Sequence, residues 1–129
     1  MSRFFAFCIF TVMSSLSWSQ AIVVSTHPIY LIAKEVTAGI EEPVLLLGDQ
    51  TGHDVQLTPA HRKAIQDASL VLWLGKVHEA PLDKLLNQNP KAIALLDSGI
   101  LTILPQRSLR GAALANTVDS HVWLEPNNA

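Results

Sequence analysis

Apolar and polar positions alternate along the chain in blocks that change period several times. Ile22-Val23-Val24 is a β-branched run short enough for a buried strand. Thr26-His27-Pro28 follows it as a helix start, with Ile29, Ile32, Ala33 and Val36 spaced at i, i+3, i+4 and i+7 and Gly39 placed to end the helix. Pro43 to Leu47 is a second apolar run, and the polar stretch Gly48 to Asp54 after it reads as a loop. Thr58-Pro59 supplies an N-cap and a first helical position for a helix whose inward face is Ala60, Ala64, Ile65 and Ala68. Leu70 to Leu74 predicts a third strand, Pro81 to Leu86 a short helix, Ala92 to Leu96 a fourth strand and Ile100 to Leu104 a fifth, at an edge. Strands alternating with helices in this way predict an α/β fold, a parallel β-sheet flanked by helices.

The remainder is less regular. Gln106 to Thr117 has no clean period and reads as a surface loop, and Val118 to Leu124 is apolar around a polar centre. Glu125 to Ala129 has the look of a helix's opening turn. A helix does not persist as its first turn alone, so the chain is expected to be a fragment of a longer protein.

Composition sharpens this picture at the N-terminus. The chain has 129 residues, 49% hydrophobic and 16% charged, enough for one packed core. Much of the positive mean hydropathy of +0.28 comes from the first twenty residues. Arg3 precedes the uncharged run Phe4 to Met13, and small polar residues surround Trp18, the order of a secretory signal peptide. The run is about half the roughly 20 residues of a membrane-spanning helix. Residues 1–21 are therefore expected to be a cleaved leader and 22–129 an exported domain with no membrane span. Cleavage would remove Cys8, the sole cysteine, and leave eight basic against eleven acidic side chains. A chain of net charge −3 without thiols has no disulfide framework and no Cys-held zinc, and it lacks the basic patch that nucleic acid requires.

Histidines then carry whatever chemistry there is. His53 lies in a Gly-containing loop directly after the second strand, the C-terminal sheet edge where open parallel sheets bind ligands. His121 has Asp119 two residues before it, able to accept a ring N–H and set the tautomer as metal-binding imidazoles require. His27, after the first strand, is an outside candidate. His61 reads as a solvated helix residue, His78 as a solvated loop residue, Glu79 and Asp54 as caps, and Trp73 and Trp123 as core anchors. No nucleophilic triad or carboxylate pair is placed by the pattern.

Three segments carry a resemblance. Thr51-Gly52-His53-Asp54-Val55-Gln56-Leu57-Thr58-Pro59, Ala68-Ser69-Leu70-Val71-Leu72-Trp73-Leu74-Gly75 and Asp119-Ser120-His121-Val122-Trp123-Leu124-Glu125-Pro126-Asn127-Asn128-Ala129 resemble, in order, the periplasmic substrate-binding proteins of zinc and manganese ABC transporters, most closely the zinc-uptake branch. The resemblance implies one lobe of a bilobal metal-binding solute-binding protein, the N-terminal one over residues 22–129, ending at the start of the interlobe helix. It implies His53 and His121 as ligands to Zn2+, with Mn2+ as the alternative, and a further His and a carboxylate in the absent second lobe. It implies a monomeric periplasmic receptor, not an enzyme, that hands metal to an ABC permease and ATPase complex. The chain departs from the family pattern at Gly52, where Pro or Glu is usual, at Ser120 and Glu125, where Asp-Pro-His and Asp-Pro are usual, and in the absence of His from Gln106 to Thr117.

Two imidazoles leave half of zinc's usual four-fold shell to water, so weak binding is expected, short of the about 12 kcal/mol of a nanomolar site. Submicromolar affinity would contradict that expectation. Alternatives of other classes are an exported metallohydrolase with Asp54 or Asp119 as base, and a nonfunctional remnant.

Overall fold

The computed structural model of the chain describes residues 21–48, 50 and 53–128. The expected leader, Cys8 included, lies outside the described residues. Among those described, no helix is long and apolar enough to cross a membrane.

Four short strands, β1 (Ile22–Val24), β2 (Val44–Leu45), β3 (Leu70–Trp73) and β4 (Ala92–Ala94), form one sheet in the order β2-β1-β3-β4. All pairings are parallel, with Val23 opposite Val44 and Val71, and Leu72 opposite Ile93. Strand direction on each face of the sheet follows from single-residue alternation. Val23, Val71 and Trp73 point into one core with Leu46, Leu47, Ile65, Leu82 and Leu86, whereas Val24 and Leu74 point into the other with Ile29, Ala33, Leu96 and Val122. The first core lies under α2 (Pro59–Asp67) and α3 (Asp83–Leu86), the second under α1 (His27–Val36) and the C-terminal segment. Both faces are thus covered, as a parallel sheet requires.

Local chemistry sets the element ends. Thr58 caps α2 by accepting from the His61 N–H, while the His61 ring accepts the Thr58 N–H, each at 3.3 Å. His61 is therefore a capping residue and not the free surface residue expected. At the other end of α2, the Lys91 ammonium donates to the Gln66 and Ala68 carbonyls, a cation where helix carbonyls lack partners. A turn of 3-10 helix, Ala80–Leu82, precedes α3, so the expected helix from Pro81 is split in two.

Two predicted features fail. Ile100 to Leu104 is not a strand: the backbone of Thr102 pairs with the Asn128 side chain in both directions and the Leu104 carbonyl accepts from Asp119, so these groups bond to the C-terminal segment instead of β4. Val36 and Ala60, placed on inward faces by periodicity, are exposed at the last residue of α1 and in the first turn of α2, while Ile29 and Ala33 of α1 and Ile65 of α2 are buried. The Gln106 to Thr117 segment is an exposed loop, as expected, folded back on itself through an antiparallel bridge between Arg107 and Ala113.

Candidate metal centre

The strand order reverses between β1 and β3, since the chain leaves β1 toward β2 and then returns to the opposite side. Ligands in open parallel sheets collect beyond the carboxyl ends of strands at such a point. Two of the histidines arrive there by similar routes, His53 after β2 and His78 after β3.

His78 owes its position to a tight turn. Gly75 follows β3 with φ of +120°, a conformation that side-chain-bearing residues rarely adopt, and its carbonyl accepts from the N–H groups of His78 and Glu79. The Glu79 carboxylate, wholly buried, reaches back to accept the Leu74 N–H at 2.7 Å and so ties the turn to the strand end. Burial pushes the Glu79 carboxyl above its usual range, against hydrogen bonds from the backbone that favour its charged form. Among the described residues, its second oxygen and the buried Ser25 and Thr26 hydroxyls at the end of β1 have no hydrogen-bond partner of good geometry, although Ser25 is near enough to favour the carboxylate.

His121 reaches the same place from the C-terminal segment. Asp119 accepts both its backbone N–H, at 3.1 Å, and its ring at Nδ1, at 2.7 Å. The bond to the ring is the main reason that the Asp119 carboxyl is held below its ordinary value. This is the carboxylate-to-imidazole pair that the spacing predicted. The next residue back, Ser120, is buried, and its hydroxyl lies 2.7 Å from His78 Nδ1.

His53, His78 and His121 come together. Ring centroids are 4.3 Å apart for His53 and His78, 5.6 Å for His78 and His121 and 6.1 Å for His53 and His121. Each offers a nitrogen, and the three nitrogens lie within 4.8 Å of one another. Trp123, half-buried, stands edge-on to His78 and His121 and closes one side. His53 and His121 are exposed and His78 is buried. Burial, and then the proximity of His53 and His121, pushes the His78 ring down to about 4, so it is uncharged at neutral pH with a lone pair to offer.

The sequence reading missed His78, which it placed in solvent and which is buried; Glu79, read as a cap, does hold a backbone N–H of the turn, from a buried position. The available signal was position: the edge argument that selected His53 after β2 applies equally to His78 after β3. A third imidazole, which the sequence reading did not select, thus lies beside the two that it did. His27 stays apart, exposed at the start of α1 next to Tyr30. Asp54 is exposed.

The chain is similar to known metal-uptake proteins. The zinc-uptake protein ZnuA of Brucella abortus is 34% identical over 92 residues, which cover 68% of this chain and 28% of that protein. The chain thus spans under a third of the curated relative it matches. Zn(II)-bound AdcA from Streptococcus pneumoniae superposes with a TM-score of 0.59 at 24% identity, over 84% of this chain and 23% of the other. FpvC from Pseudomonas aeruginosa in complex with Mn2+ gives 0.60 at 20% identity, over 81% and 39%. These superpositions show a shared fold, that of one α/β unit within longer chains. The model of the family described as zinc-uptake complex component A, periplasmic, matches residues 22–129. This places the chain among uptake components and not among enzymes, so the metallohydrolase alternative falls away. On that match, spanning the sheet and all three clustered histidines, the chain belongs to the ZnuA family of zinc-uptake proteins.

Proposed function

We propose that the chain is the metal-capturing lobe of a periplasmic zinc receptor and that His53, His78 and His121 hold the ion. The observation that carries this reading is the convergence of three imidazole nitrogens within 4.8 Å, from segments far apart in sequence. Zinc bound tetrahedrally at 2.0–2.1 Å places its donors about 3.4 Å apart, so a modest inward movement brings the three onto one ion. Imidazole favours zinc over manganese, which suits carboxylate and water donors. Membership of the zinc-uptake family and the name of the Brucella relative support the same cargo.

Three donors leave one position open, the arrangement of an exchangeable site and not of a closed structural one. An ion held this way is accessible from the side of His53 and His121, which suits capture and release. In this reading the metal passes to an ABC permease and ATPase complex, residues 1–21 direct export, and the receptor acts as a monomer. The third imidazole raises the expected affinity above that of the two-histidine site.

Calorimetric titration of the purified protein with zinc and with manganese tests the reading. Stoichiometric zinc binding is expected, weakened about tenfold or more by each of His53→Ala, His78→Ala and His121→Ala, with manganese binding more weakly. A folded protein that takes up no zinc, or that keeps full affinity in all three variants, would overturn it and leave a remnant without this function.

A further inference from the structure

An imidazole has two nitrogens, and only the one without a proton can accept a metal. His121 has its choice made by Asp119, an acceptor only, which requires a proton on Nδ1 and leaves Nε2 for an ion. Among the described residues, no carboxylate bonds to the His78 ring. Its Nδ1 contacts the Ser120 hydroxyl at 2.7 Å, with both side chains buried. A hydroxyl can donate or accept, so two arrangements satisfy this contact. In one, Nδ1–H donates to Oγ and Nε2 is bare; in the other, Oγ–H donates to Nδ1 and the proton sits on Nε2, where it would block coordination.

We propose that Ser120 is a positioning residue for metal capture: its hydroxyl accepts the Nδ1 proton of His78 and thereby presents Nε2 to the ion. This rests on the reading of the three histidines as the metal site. Geometry supports it in two ways. The 2.7 Å contact engages Nδ1, so Nε2 is the ring nitrogen left for an ion, and the ring centroid lies 4.3 and 5.6 Å from those of His53 and His121. Ser120 also links the two ligands mechanically, since it immediately precedes His121 in the chain while bonding the ring of His78. A neutral acceptor increases the basicity of the ring less than the carboxylate behind His121 does, which makes His78 the weaker and faster-released of the two donors.

The test reads the tautomer directly. In nitrogen-15 NMR spectra of the metal-free protein at pH 7.5, the His78 ring is expected to carry its proton on Nδ1, and Ser120→Ala is expected to shift it toward the Nε2–H form that a free histidine side chain prefers. Zinc titration should give about tenfold weaker binding for Ser120→Ala, with affinity restored in Ser120→Thr, which keeps the hydroxyl; circular dichroism checks that both variants are folded. A proton on Nε2 of His78 in the unaltered protein, or a folded Ser120→Ala variant with unchanged tautomer and affinity, would overturn the proposal. If the unaltered protein binds no zinc, the receptor reading fails, while the tautomer measurement still decides the role of Ser120 on the His78 ring.

Discussion

The buried, uncharged His78 makes the metal-free protein sensitive to mild acid in a way that can be sized. Its ring titrates near 4 in the folded protein against an ordinary value of 6.5. Above 6.5 the ring is neutral whether the chain is folded or not, and it contributes nothing to pH dependence. Between 6.5 and 4 the unfolded chain takes up a proton that the folded one refuses, so stability falls as the pH is lowered, and the loss is complete below 4. A displacement from 6.5 to about 4 corresponds to about 3 kcal/mol, a substantial part of the 5–15 kcal/mol that holds a typical domain together. Glu79 works in the opposite sense: its raised carboxyl stabilises the fold below the unfolded value near 4.5, and that contribution is lost as pH rises through the folded value. Comparing the protein with His78→Gln separates the two, because Glu79 is common to both chains. Urea denaturation followed by tryptophan fluorescence in the presence of a chelator, at pH 7 and pH 4, should show the unaltered protein losing about 3 kcal/mol more than the variant over that interval. Equal losses in the two chains would refute the assignment of acid sensitivity to this ring.

Further expectations concern packing, hydrogen bonding and affinity. Leu82→Ala empties a fully buried position between Trp73, Leu86 and their neighbours and should cost about 3 kcal/mol in denaturant unfolding. Glu79→Ala strands the Leu74 N–H and should cost about 2 kcal/mol, whereas Glu79→Gln keeps an acceptor for it and should cost less; a larger loss in the Gln variant would contradict the bond at the strand end. Asp119→Ala frees the His121 tautomer and should weaken zinc binding about tenfold in calorimetry, with little change in thermal midpoint because Asp119 and His121 are both substantially exposed.

The elements that were legible in the sequence have strong local causes. Ile22-Val23-Val24 and Leu70 to Trp73 are apolar runs that only a doubly covered sheet can bury, and Thr58-Pro59 starts a helix by capping and by a pre-set φ. The Asp119–His121 pair was legible for the same reason, as two residues of spacing suffice for its contact. What escaped depends on distant partners. Nothing near His78 announces burial, and its hydrogen-bond partner Ser120 lies forty-two positions on. Ile100 to Leu104 has the composition of a strand, but its backbone groups bond to Asn128 and Asp119, a choice no local pattern records. His61 was read by its charged neighbours, while its ring acts on the backbone three residues earlier.

The spacing of the three histidines also bears on how the protein gains and loses its shape. Positions 53, 78 and 121 are separated by 25 and 43 residues, so gathering them closes two long loops at an entropic expense that contacts made early in folding do not repay. The cluster is therefore expected to form once the sheet and the C-terminal segment have docked, after the main barrier to folding. An ion captured there acts on the finished structure alone. Zinc is expected to slow unfolding in proportion to its occupancy and to leave the refolding rate unchanged, a pattern that stopped-flow measurement over a range of zinc concentrations can read directly. On the proposed reading, bound zinc then serves as a kinetic lock, and a loaded chain is expected to outlive an empty one.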